Sequence, residues 1–320
     1  DYFPCFQQVL SQSDCKAEFH TTEFNYIYSN CLLHTLFMEK KILVPTNFTK
    51  HSWSALIFAM KLFKKFPCTF YLINVYSSRG SLSEAMSIHK EDDEETNASV
   101  SEKGLARIMQ GLNFRKENQK HRFEQISFDG SLVEGIQEQV NKLGIDMIIV
   151  GSPGDTAGIN TAENNKISKI TEKIKECPVL VIPEKYETAI DPNLEIVFPT
   201  NLRKPFKPSE LEHLIELAQN TECSIRVLYI NTEGKALSTD QEKNKEDLLK
   251  QLAKVNTSYH MLTKTSPTTG VHLFIESRES DFLALYQRKQ GFFGKIFNKA
   301  VIEDIDFDPK LPVLILKEIR

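Results

Sequence analysis

The stretch "KKILVPTNFTKHSW", Lys40 to Trp53, is an apolar run that breaks at a proline, turns polar and then resumes its apolar spacing, and "LEIVFPTNLRKPF", Leu194 to Phe206, repeats it. A short β-branched run closed by proline reads as a strand, and Thr and Asn after it are turn formers. Writing that sequence twice implies one folding unit copied in tandem. Further matches follow in the same order. "CTFYLINVY" (Cys68 to Tyr76) is answered by "CSIRVLYIN" (Cys223 to Asn231), "IDMIIVG" by "SDFLALY", and "CPVLVIPEK" by "LPVLILKEI". The first two matches share one offset and the last two a shorter one, so the second copy lacks a segment between its second and fourth strands. A chain of 320 residues has room for two such units, since a domain commonly takes about 150.

Within the first copy, strand and helix patterns alternate. Ile42 to Pro45 reads as a strand, and Thr49 or Ser52 is expected to cap a helix with the apolar face Ala55, Leu56, Ala59, Met60 and Phe63. A helix is expected near Val100 to Asn118 and a strand over Arg122 to Phe128. Ser131 with Glu134 forms a capping box for a helix ended by Gly144. "DMIIV" is uninterrupted apolar, as in a strand buried on both faces, and Ile167, Ile170 and Ile174 stripe a last helix before "PVLVIP". In the second copy Ser209 and Glu212 are read as a capping box. This alternation predicts parallel sheets with right-handed crossovers. The expected organisation is an atypical extension over 1–37, whose aperiodic pattern a non-native start would produce, then units over 38–183 and 194–320 joined by a polar linker, 184–193.

Composition excludes several classes. With 41% hydrophobic and 26% charged residues the chain is near the globular average, and its net charge of −4 gives no field for nucleic acid. No stretch approaches the roughly 20 apolar residues of a membrane helix, and the N-terminus has no basic segment leading into an apolar one, so no membrane association and a cytoplasmic location are expected. The six cysteines are sparse and read as reduced thiols. Among Cys5, Cys15, His20, Cys31 and His34 only Cys31-x-x-His34 has ligand-like spacing, and no metal is predicted. The acidic run Glu91 to Glu95 reads as a solvated loop.

In open α/β sheets the ligand crevice lies beyond the carboxyl ends of the strands where their order reverses. That places Pro45, Thr46 and Asn47 opposite the loop Gly151 to Ser168. Gly151 and Gly154 would let a ligand approach the backbone, and the following helix would offer amides to a phosphate, with Ser152, Lys166 and Ser168 at hand. His51, His121 and His260 read as solvent-facing.

"KKILVPTNFTKHSWSALIFAMKLF", "GIDMIIVGSPG" and "CPVLVIPE" together resemble the universal stress protein family in its tandem two-domain form, over nearly everything after Met38. The resemblance implies, for each copy, a five-stranded parallel sheet of order 3-2-1-4-5 with helices on both faces. It also implies ATP, with any accompanying Mg, held through Gly, two residues, Gly, nine residues, then Gly and Ser or Thr. Gly151 and Gly154 match the first two glycines, whereas Asn164 and Asn165 stand where Gly-Ser is expected. Asn47 replaces the family's usual Asp, and Val75 and Val150 match positions that contact the base. In the second copy Tyr286 and Lys289 replace the glycines, so that half is expected to bind no ATP. Because the family dimerises through its closing strands, the two copies are expected to pair within one chain; a further homodimer is compatible but not required.

Three functional classes follow. A regulatory module would hold an adenine nucleotide in the first half and use the second for pairing or partner contacts, with Phe292, Phe293, Ile296 and Phe297 read as a short helix buried against the sheet. A scaffold would hold none. An enzyme is narrowed to a slow ATPase, since no Gly-x-Ser-x-Gly, Gly-x-x-x-x-Gly-Lys-Ser/Thr or His-Glu-x-x-His motif is present.

Overall fold

The computed structural model describes residues 39–78, 96–115, 118–153, 162–186, 194–287 and 311–318, without the side chains of 162–165. The first half runs β1 (Lys40–Pro45), α1 (Lys50–Leu62), β2 (Cys68–Tyr76), α2 (Asn97–Arg115), β3 (His121–Asp129), α3 (Leu132–Leu143), β4 (Met147–Ser152), α4 (Ala162–Lys173) and β5 (Val179–Pro183). The second runs β6 (Glu195–Thr200), α5 (Pro208–Thr221), β7 (Ser224–Asn231), α6 (Thr239–Gln251), β8 (Thr257–Thr263), α7 (Pro267–Arg278), β9 (Phe282–Gln287) and β10 (Val313–Lys317).

The ten strands form one sheet of order β3-β2-β1-β4-β5-β10-β9-β6-β7-β8. Read from the middle outward, each half has the order 3-2-1-4-5, and within each half the pairings are parallel. The two halves meet where β10 runs antiparallel to β5, with Val313 opposite Val181 and Ile315 opposite Val179. One face of the sheet is covered by α1, α2, α5 and α6, the other by α3, α4 and α7, as the two apolar clusters show. Both faces being covered explains the unbroken apolar runs of β1, β4 and β9. Among the described residues no helix is long and apolar enough to cross a membrane.

Several local expectations need correction. Thr49 is the N-cap residue of α1, but neither it nor Ser52 makes a side-chain cap; the Ser52 hydroxyl donates back to the Thr49 carbonyl at 2.9 Å. In the second half Glu210, not Glu212, reaches back to the helix start: its Oε2 accepts the Lys207 N–H at 2.9 Å, and no box forms at Ser209, because Pro208 takes the first helical position and the N-cap residue Lys207 has no side-chain acceptor. The box at Ser131 and Glu134, and the left-handed Gly144 that ends α3, are as expected. Tyr186, in the segment read as a polar linker, is a structural bolt: its ring meets Phe58 and Phe282 edge-on at 5.7 and 6.3 Å, and its hydroxyl donates to the Asp281 carbonyl. The thiols of Cys68, Cys177 and Cys223 are free and buried, and burial pushes each up to about 12, so they are inert at neutral pH. The other three cysteines, the acidic run and Phe292 to Phe297 lie outside the described residues.

Near the seam, β10 carries a buried cation. Lys317 Nζ donates to the Thr171 carbonyl of α4 and to Gln287 Oε1 of β9, and the residue is 4% exposed. Burial holds its pKa down, at about 7 against an ordinary 10.5. The folded chain therefore binds this proton less tightly than the unfolded one. The stability this group contributes is complete above 10.5 and lost as pH falls to about 7. Urea midpoints of Lys317→Met are expected to vary less across that window than those of the wild type; equal slopes would assign the pH dependence elsewhere.

Candidate functional site

The Pro-Thr-Asn turn is built the same way in both halves. Thr46 Oγ1 accepts the Phe48 N–H at 3.2 Å and Thr200 Oγ1 accepts the Leu202 N–H at 3.2 Å, which curls the chain so that Phe48 and Leu202 take φ of 64° and 55°. Asn47 Oδ1 then accepts the Thr49 N–H at 3.4 Å, as Asn201 Oδ1 accepts that of Arg203 at 3.1 Å. In the first half the turn is tied to β2: Thr46 N–H donates to the Ile73 carbonyl and Asn74 Nδ2 to the Thr46 carbonyl, at 2.8 and 2.7 Å. The motif is therefore a strand-to-helix turn before it is anything else.

Beyond the turn, the halves diverge at β4 and β9. Ile42 pairs with Met147 and Ile196 with Phe282, so Gly151 and Tyr286 hold equivalent places. A Cβ at Gly151 would fall 2.5 Å from the His51 carbonyl carbon and 2.9 Å from Ser52 N, which are backbone atoms of the first turn of α1. The space that the sequence assigned to a ligand at this glycine is taken by the chain's own helix. With the ring of Tyr286 in that place, the second half cannot repeat this packing. Its helix α5 begins at Pro208, about one turn later than α1, and Phe206 turns edge-on to Tyr286 at 5.1 Å. Tyr286 is 4% exposed, inside the core.

The other expected site residues are placed as follows. Pro45 closes β1, Thr46 is buried and Asn47 is exposed at the tip. Val150 is 3% exposed and its side chain belongs to the cluster under α3 and α4, so the side chain is not available to a base; Val75 is half-buried against Gly135 and Phe128. Ser152 is buried and its carbonyl accepts the Glu184 N–H at 2.9 Å. Asn164, Asn165, Lys166 and Ser168 lie on α4, Lys166 exposed and Ser168 half-buried. Gly154 and Lys289 lie outside the described residues.

The histidine expectations are also corrected. His51 is 7% exposed; its Nε2 is 2.8 Å from Thr49 Oγ1 and its Nδ1 is 3.7 Å from Glu184 Oε2. His121 is buried against the Phe70 ring, with Nε2 3.1 Å from the Phe63 carbonyl, and burial lowers its pKa. His260 is half-buried, its Nε2 2.8 Å from Ser258 Oγ; burial, then Arg278 and Arg226, lower its pKa. No strand or helix periodicity reports the polar partners that draw these rings inward. Among the described residues no group of three or more His, Cys, Asp or Glu is placed to hold a metal.

A feature that the sequence did not signal is a cleft of about 450 Å³ on the α1–α2 side of the turn. Phe48, Thr49, Ser52 and Trp53 form one wall, and Lys103 and Arg107 of α2 stand on the other.

Residues 38–183 match the model of the universal stress protein family. In solved structures the fold is similar to a universal stress protein from Archaeoglobus fulgidus DSM 4304, at 12% identity over 88% of this chain and 98% of that one, TM-score 0.60. A putative universal stress protein from Pseudomonas aeruginosa UCBPP-PA14 aligns at 14% identity over 87% and 93% of the two chains, TM-score 0.53. The cytoplasmic domain of a prokaryotic cation chloride cotransporter aligns at 12% identity over 88% and 96%, TM-score 0.52. At these identities the likeness concerns the fold. No curated protein matches the sequence.

Proposed function

We propose that the chain, whose residues 38–183 match the model of the universal stress protein family, is a stress-type regulatory protein whose first half takes ATP or a related adenine nucleotide at the tips of β1 and β4. The observation that carries this reading is topological. The strand order reverses between β1 and β4, and their recorded pairing is confined to Ile42 with Met147 and Leu43 with Ile148, short of the carboxyl ends. Asn47 is exposed at that end, and α4 is the helix that follows β4, whose N-terminal amides would be offered to a phosphate. Any Mg would come with the nucleotide. The second half, with Tyr286 in the core and β10 along β5, acts as a built-in partner, and the protein works in the cytoplasm.

One observation favours a second reading, a nucleotide-free interaction protein: the room at Gly151 is used by α1, and Asn164-Asn165 stand in place of Gly-Ser. The two separate on purified full-length protein. Acid quenching followed by ion-exchange chromatography is expected to release adenine nucleotide, and ATP at a hundredfold excess over its Kd to raise the melting temperature by about 5 °C or more. Gly154→Trp is expected to remove that rise. No nucleotide in the quench and no shift at millimolar ATP would leave the nucleotide-free reading.

A further inference from the structure

We propose that the first half has a separate site, the cleft between α1 and α2, for a small aromatic phosphomonoester. Its volume, about 450 Å³, is within the range of small-ligand pockets. Among the described residues the lining includes Lys103 and Arg107 and no acidic side chain, on a chain whose net charge is −4. Two cations one helical turn apart on the same face suit a dianion. Between them Gly104 leaves α2 without a side chain, and the Phe48 ring sits there, two of its carbons 2.6 Å from where a Cβ would be. Trp53 supplies a second aromatic surface, itself stacked under Arg115 at 5.5 Å.

Exposure supports a ligand. Phe48 and Val100, at 40% and 46%, are among the large apolar side chains left exposed, and both border this cleft. The turn alone does not require the opening. In the second half Leu202 is 1% exposed, and three amides of α6 close over the equivalent chain: Gln241, Asn244 and Gln251 donate to the carbonyls of Asn201, Leu202 and Phe206 at 3.0, 2.9 and 3.0 Å. The same turn is sealed on one side of the molecule and open, aromatic and cationic on the other. Of the strand-tip residues assigned to a nucleotide only Thr46 borders the cleft, so the two sites stand or fall separately.

Trp53 is the chain's single tryptophan, which makes the test direct. Phenyl phosphate titrated into the full chain is expected to change its fluorescence saturably, with phenol and inorganic phosphate each at least about tenfold weaker. Lys103 and Arg107 are exposed, and the double variant Lys103→Glu/Arg107→Glu is expected to weaken phenyl phosphate by about tenfold or more. If that variant does not fold, Arg107→Gln alone is expected to weaken it by about threefold. The proposal is overturned by an absent or unsaturable response, by inorganic phosphate binding as tightly as phenyl phosphate, or by an unchanged Kd in the charge variants.

Discussion

Gly151→Ala is expected to destabilise the fold by about 3 kcal/mol, a fall of roughly 6 to 12 °C in melting temperature. The added methyl would meet backbone on α1, the carbonyl of His51 and the amide of Ser52, and backbone cannot swing aside as a side-chain tip can. Relief requires α1 to lift from β4, which would also strip packing from the buried residues Ala55, Leu56 and Ala59. The second half illustrates the alternative, a helix started one turn later around an aromatic ring. A melting temperature within about 2 °C of the wild type would show that Gly151 is a turn glycine and not a packing one.

The second large effect is expected at the opposite end of the other half. Glu195, at the start of β6, accepts from Arg226 Nε at 2.6 Å, from Arg278 Nε and Nη2 at 2.7 Å, and from Ser280 Oγ at 3.0 Å. Although burial opposes ionisation, these donors hold its carboxyl down at about 2. Glu195→Ala leaves the Arg226 and Arg278 guanidinium groups without their shared carboxylate and, with the Arg278 side chain 36% exposed, should cost about 2 kcal/mol, read as a lower urea midpoint. The pH dependence has a definite sign. The stability that the carboxylate contributes is complete above its ordinary 4.5 and lost as pH falls toward about 2. Glu195→Gln should therefore flatten the acid limb of the stability profile. An Ala variant as stable as the wild type at pH 7 would show that the two arginines find other partners.

The cluster also shows how much of the design was readable. Asp146 and Asp281, which mark the repeat in the sequence, make the same bonds: Asp146 Oδ2 accepts from Lys41 N–H and Asp281 Oδ2 from Glu195 N–H, both at 2.8 Å. Those aspartates were legible because a backbone-capping role fixes both identity and spacing. What lies beside them was not. Lys41 reaches back to the Leu143 carbonyl, whereas Glu195 recruits residues from β7, α7 and the turn before β9. The histidines were misplaced for the same reason. His51 and His121 lie in polar segments, and only packing reveals that a carbonyl, a hydroxyl or a carboxylate waits for each ring.

Sequence alone determined the elements of the first half and their order, the Pro-Thr-Asn turns, the box at Ser131 and the left-handed Gly144. Each depends on residues a few positions apart, where backbone sterics and local hydrogen bonds act. It also signalled parallel strands covered on both faces, because such burial leaves continuous apolar runs. Only the tertiary structure decided which surface Gly151 serves, where the Tyr286 ring goes, and that the first half keeps a cationic aromatic cleft where the second is sealed by amides. Those outcomes depend on contacts between α1 and β4, α5 and β9, or α2 and a turn dozens of residues away. No local period records them, since the same glycine or asparagine satisfies its own backbone equally well whichever distant element packs against it.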